Sequence, residues 1–166
     1  IYGAKKVLLV DIDQKKIEFC RALGFTDICD ASQTDPVEWV MQQTEGYGAD
    51  VCIEGSGSSS GFINSLMSCR VFGKVLMLGN PHADVNIPRE IYDKFMRKEA
   101  QIMGVFNSIY SQRPHDEWKD AAAAIQSGKL KVSDLITHAV PMEELSALFN
   151  LIRDSKVPFC KGMMVM

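Results

Sequence analysis

The stretch "KKVLLVDID", Lys5–Asp13, carries the reading on which the fold turns. "VLLVDI" is an unbroken apolar run, the pattern of a strand buried on both faces of a parallel sheet, and it runs into an acidic residue, Asp11. "DQKKIEFCRALG" follows at helical period. Asp13 is its N-cap, Ile17, Cys20 and Leu23 share one face, and Gly24 ends it. "TDIC" predicts a short strand. "TDPVEWVMQQTEG" predicts a helix capped by Asp35, opened by Pro36, with Val37, Val40 and Met41 inward. "ADVCIEGSG" and "GKVLMLGN" read as buried strands closing on glycine. The helix between them buries Phe62, Ile63, Leu66 and Met67. A short helix "REIYDKFMRK", the strand "AQIMGVF" and a helix from "HDEW" to Gly128 complete the alternation. Short connections between strands and helices imply a doubly wound parallel α/β sheet with right-handed crossovers. The tail gives strand, helix (Leu145, Leu148, Phe149 and Ile152 inward) and a last apolar strand, ending in "KGMMVM", expected to pair outside this run.

Composition narrows the class. The 166 residues are 46% hydrophobic with a net charge of −3, ordinary for a globular domain burying roughly 70% of its unfolded surface. The slightly acidic balance argues against nucleic acid or an anionic membrane as partner. No apolar run approaches the ~20 residues of a membrane span, and nothing directs the chain out of the cytoplasm. Five scattered cysteines include no C-x-x-C pair, so they read as small buried thiols rather than a zinc or disulfide framework. His82, His115 and His138 lack a second ligand at metal spacing, and Trp39 and Trp118 read as core or helix-packing residues.

In an open parallel sheet ligands bind beyond the carboxyl ends of the strands. Four such ends carry suitable residues: Asp11; Gly55, Ser56 and Gly57; Leu78, Gly79, Asn80 and Pro81; Val105, Phe106 and Asn107. A carboxylate at Asp11 accepts from both hydroxyls of an adenosine ribose and repels a 2′-phosphate, which selects NAD over NADP. Lys16, one helical turn on, reaches toward the same ribose or is a solvated helix lysine. A glycine-rich phosphate loop belongs about twenty residues before such an acid, yet ten residues precede Asp11, with Gly3 among them.

Taken with "GADVCIEGSG", "GKVLMLGNP", "MGVF" and "LITHAVPMEELSALFNLI", the stretch "KKVLLVDIDQKKIEFCRALGFTDICDAS" resembles the second half of a zinc-dependent medium-chain alcohol or polyol dehydrogenase. "LGNPHADVNIP", "RKEAQIMGVFNS" and "PHDEW" are most similar to galactitol-1-phosphate 5-dehydrogenases, with sorbitol dehydrogenases near. The resemblance implies that Ile1–Ala4 are the tail of the helix after the phosphate loop, so that the first strand, that loop and a zinc-bearing catalytic domain are missing upstream. Residues 1–135 are then an incomplete dinucleotide-binding domain, and 136–166 a strand–helix–strand returning toward the catalytic domain. It makes Asp11 the ribose acid and Lys16 its companion. Ser56, Gly57, Leu78, Gly79 and Asn80 line the nicotinamide and its ribose, Val105 and Phe106 lie against the carboxamide, and Lys161 contacts cofactor phosphate. Asn107 and Ala139 depart from the arginines many polyol dehydrogenases carry there.

The activity implied is hydride transfer from a sugar alcohol or its phosphate to NAD, in a dimer or tetramer. Zinc is held by the N-terminal part. No residue of this chain takes the zinc's role, so these residues alone are expected to be inactive. The missing strand is central, between Val7–Ile12 and Val51–Glu54, and those two should not pair directly. Two other readings compete: a cofactor-binding or oligomerisation module without chemistry, and a methyltransferase, which also holds a ribose with an acid at this strand end.

Overall fold

The computed structural model describes residues 3–106, 116–154 and 157–166. The alternation is present as β1 (Leu9–Asp11), α1 (Gln14–Ala22), β2 (Ile28–Asp30), α2 (Pro36–Gln43), β3 (Ala49–Glu54), α3 (Ser59–Ser68), β4 (Cys69–Met77), α4 (Arg89–Arg97), β5 (Gln101–Gly104), α5 (Glu117–Gln126), β6 (Ile136–Val140), α6 (Leu145–Arg153) and β7 (Lys161–Met164). The helix starts follow from side-chain chemistry. The Asp13 carboxylate accepts from Lys15 N at 2.8 Å, and that of Asp35 accepts from Val37 N and Glu38 N at 2.8 and 3.0 Å. Gly24 and Gly128, at φ of +94° and +71°, turn the chain out of α1 and α5 through the left-handed region.

Two compact units divide the chain. Leu8–Ile12 with Cys29–Asn107 form one; Ile1–Val7, Asp13–Ile28 and Ser108–Met166 form the other. In the first, β3, β4 and β5 make a parallel sheet in which Glu54 stands opposite Met77, and Met77 opposite Gly104. The three strands therefore end at one level. β1 lies in a separate two-stranded sheet with β2. The single continuous sheet expected from the alternation is thus divided, and β1 and β3 are not paired, in line with a strand order that sets another strand between them. Val51 and Ile53, which share one face of β3, are exposed, and strand geometry in β1 shrinks from the six-residue run to Leu9–Asp11.

The core of this unit is Leu66, Cys69 and Val75, with Cys52, Phe62, Ile91, Phe95 and Ala100 against them. β4 begins four residues before the expected Gly73, because Cys69–Phe72 bulge against β3. Phe72 adopts φ +57° there, and its N–H donates to Lys98 O at 2.8 Å. The Lys98 ammonium turns inward and donates to the carbonyls of Leu66, Met67 and Cys69 at 3.3, 2.5 and 2.6 Å, closing the C-terminal end of α3. Burial lowers its pKa, while the Cys69 and Cys52 thiols pull it back up.

Burial pushes the Cys52 thiol from its ordinary 9.0 up to about 12, with Cys69 adding to the rise and the charge of Lys98 opposing it. An unfolded chain releases this proton above about pH 9, whereas the folded chain keeps it. Stability present below pH 9 is therefore lost as the pH climbs toward 12. Cys69 and Cys29 are raised as well, by burial first, and act in the same sense. Lys98 acts in the opposite sense, since a lowered lysine favours the folded state as pH rises to its ordinary value. Urea midpoints from pH 8.5 to 11 should fall, and Cys52→Ala should flatten the fall; a flat wild-type profile would remove this account.

In the second unit β7 pairs parallel to β6, so the last apolar strand finds its partner within the chain. Leu148 is buried as expected, and Gly162 lies against Leu148 and Phe159 because a Cβ there would stand 3.1 Å from the leucine methyl. Phe149 and Trp118, expected inward, are instead 64% and 59% exposed. Helical period alone leaves the width of the buried stripe open, and here it is narrow. Cys160 is exposed, unlike the buried thiols Cys29 and Cys69.

Candidate functional site

Because β3, β4 and β5 stop at one level, the residues that follow them collect along one edge. Gly55, Ser56 and Gly57 leave β3; Leu78, Gly79 and Asn80 leave β4; Val105 and Phe106 leave β5. Backbone bonds tie these ends together. Leu78 N and Gly79 N both donate to Glu54 O at 2.9 Å, His82 N donates to Gly57 O at 3.2 Å, and Val105 N donates to Met77 O at 2.9 Å. The candidate residues Ser56, Gly57, Leu78, Gly79, Asn80, Val105 and Phe106 are thus brought together in one unit.

Glycines at strand ends serve either a close ligand approach or the turns themselves, and at Gly57 and Gly79 the turns require them. At Gly57 (φ +70°) a Cβ would land on the Asn80 carbonyl oxygen, and at Gly79 it would meet Glu54 Oε2 at 2.8 Å and Gly55 C at 2.9 Å. These two glycines let the strand-end turns interlock. Gly55 is the open one: a Cβ there would have no atom within 4 Å. Around it Leu78, Val105 and Phe106 are exposed, Phe106 by 76%. An edge of exposed apolar side chains beside bare backbone fits the flat, uncharged half of a nucleotide.

Glu54 is the residue that sequence reasoning passed over. It is 5% exposed, and its carboxylate accepts from Ser56 N at 2.8 Å, Ser56 Oγ at 2.6 Å and Gly57 N at 3.0 Å. A signal was present: an acid ending an otherwise apolar strand needs partners, and the glycine–serine turn beside it supplies them.

Asp11 ends β1 in the same unit, with its carboxylate accepting from Ile12 N at 2.8 Å and its carbonyl from Ala31 N at 3.0 Å. Half-buried at a strand end, it fits a hydroxyl-bearing ligand. Lys16, in α1, and Lys161, which opens β7, belong to the other unit and are exposed. Asn107 and His115 lie outside the described residues. His138 sits in β6 with Nδ1 at 3.0 Å from Thr137 Oγ1 and its ring 6.0 Å from that of Phe159. Among the described residues no three His, Cys, Asp or Glu side chains come together as a metal site would require, and no helix is long and apolar enough to cross a membrane.

Comparison with known proteins places this architecture. The chain superposes on the crystal structure of galactitol-1-phosphate dehydrogenase from Escherichia coli with a TM-score of 0.87, at 21% identity, covering 99% of this chain and 47% of that one. It is 29% identical over 151 residues to the L-threonine 3-dehydrogenase of Bacillus licheniformis, covering 91% of this chain and 42% of the relative. It is 31% identical over 156 residues to that of Yersinia pestis, covering 93% and 43%. The chain spans less than half the length of each of these proteins. Residues 1–127 match the family model described as zinc-binding dehydrogenase, and since that match takes in most of the chain, the α/β parallel-sheet fold with its aligned strand ends is that of the zinc-binding dehydrogenase family, to which this chain belongs.

Proposed function

We propose that this chain is the cofactor-binding part of an oxidoreductase that moves a hydride from a sugar alcohol, or a sugar-alcohol phosphate, to NAD. The observation that carries the reading is the shared edge formed by the ends of β3, β4 and β5, in a unit that also holds Asp11 at the end of β1. Asp11 would take the ribose hydroxyls of NAD. Ser56, Gly57, Leu78, Gly79 and Asn80 would line the nicotinamide and its ribose, with Val105 and Phe106 against the carboxamide. When bound, NAD supplies the hydride acceptor, and these residues orient it and keep water from its face.

The superposition on galactitol-1-phosphate dehydrogenase supports the polyol class. The identity to L-threonine 3-dehydrogenases favours a second reading, in which the secondary alcohol oxidised is a hydroxy amino acid. Five free cysteines support a reducing, cytoplasmic setting, and the exposed Met163 and Met164 of β7 support assembly as a dimer or tetramer.

Fluorescence titration of the intact protein with NADH and NADPH tests the cofactor. Wild type should prefer NADH, and Asp11→Asn should weaken NADH by about tenfold while narrowing the preference, because a charge-assisted bond and a repulsion are both lost. Equal NADH affinity in the variant would remove Asp11 from the site. Turnover on galactitol 1-phosphate, sorbitol and L-threonine then separates the two substrate readings.

A further inference from the structure

The turn "EGSGSSSG", residues 54–61, has the make-up of an anion-binding loop: glycines, backbone N–H groups and a following ten-residue helix, α3. In this chain an anion is already there, and it is a side chain. Glu54 Oε1 lies 2.8 Å from Ser56 N, 2.6 Å from Ser56 Oγ and 3.0 Å from Gly57 N, with Oε2 at 3.2 Å from Gly57 N. A Cβ on Gly61 would press first on Ser56 Oγ and Ser58 Oγ and then on Oε1 at 3.0 Å, and one on Gly79 first on Gly57 N and then on Oε2 at 2.8 Å, so both glycines leave room for the turn and the carboxylate it holds. The same residue's carbonyl receives Leu78 N and Gly79 N. Ser58 Oγ takes Gly61 N at 3.0 Å and caps the helix separately.

We infer that Glu54 is the positioning residue of the nicotinamide-side turns: as a built-in anion it fills the nest of N–H groups, excludes phosphate from it, and locks the ends of β3 and β4 for an uncharged ring. This rests on the reading that the strand-end edge receives NAD. The chemistry gives a sharp expectation. A phosphate would be repelled by a buried carboxylate a few ångströms away, whereas a nicotinamide ring and a ribose hydroxyl carry no negative charge. Glutamine at this position keeps the shape but turns an N–H₂ toward the N–H of Ser56 or Gly57, so one donor faces another and the turn shifts. On this reading the adenosine ribose falls to Asp11 and only the nicotinamide side to this turn.

The test compares NADH with ADP-ribose, which has everything but the nicotinamide, on the intact wild type and Glu54→Gln. Glu54→Gln should raise the Kd for NADH by about tenfold and leave that for ADP-ribose within about twofold. If Glu54→Gln does not fold, Glu54→Asp, which keeps the charge but shortens the reach, should show the same split. A parallel loss for both ligands, tracking a loss in Tm, would make the role merely structural and overturn the inference. No change for either ligand would also overturn it. Wild type that binds neither ligand would overturn the cofactor reading, and this inference with it.

Discussion

Gly57→Ala should destabilise the chain by about 3 kcal/mol in urea unfolding and lose NADH binding at the same time. Two costs add. At φ +70° an L side chain clashes with its own carbonyl, which costs about 1 kcal/mol. The new Cβ would also fall on the Asn80 carbonyl oxygen and 2.8 Å from Asn80 C, and both are backbone atoms that cannot swing aside. Relief requires the ends of β3 and β4 to separate, which breaks the His82 N to Gly57 O bond at 3.2 Å and costs about 2 kcal/mol of overpacking strain. Gly55→Ala is the matched control. Its Cβ meets nothing within 4 Å, so stability should stay within about 0.5 kcal/mol of wild type. Similar losses in the two variants would show that the interlocked turns do not determine the site.

Lys98→Met is expected to cost about 3 kcal/mol, although the sequence marks Lys98 only as the last residue of a short helix, "REIYDKFMRK". Methionine keeps the aliphatic stem and removes the three donors. The part-buried carbonyls of Leu66, Met67 and Cys69, which now accept from Lys98 Nζ, would then lose this donor. Hydrogen bonds to charged groups contribute about 1.5–3 kcal/mol net, and a helix C-terminus adds its own preference for positive charge. Lys94→Met, on the exposed surface of the same helix, should change stability by less than about 0.5 kcal/mol. Chemical denaturation of both variants decides the matter, and a Lys98→Met protein as stable as Lys94→Met would mean that water replaces the ammonium.

Much of the candidate site was legible because strand ends follow from local pattern. The apolar runs ending in "GSG", "LGN" and "GVF" placed Ser56, Gly57, Leu78, Gly79, Asn80, Val105 and Phe106 at the carboxyl edge, and the pairing of Glu54, Met77 and Gly104 sets them side by side. Glu54 was harder to read. An acid closing a strand has the same letter whether it points to solvent or folds back on the next two N–H groups. The sheets show a similar limit, since alternation predicts parallel strands without saying which neighbours join.

What the sequence by itself determined are the features that span four residues or fewer. The caps at Asp13 and Asp35, the Pro36 start of α2, the left-handed exits at Gly24 and Gly128, and the apolar face that buries Ile17, Val40, Leu66 and Leu148 all depend on neighbours in the chain. Tertiary structure alone decided that Lys98 reaches carbonyls about thirty residues earlier, that Phe72 takes φ +57° in a bulge, that Phe149 and Trp118 stay exposed, and that Gly57 and Gly79 serve each other before any ligand. The reason is range. A cap or a helical face is specified by side chains that meet through the backbone's own geometry, whereas these contacts exist once strand register and helix placement have brought distant atoms within hydrogen-bond or van der Waals reach.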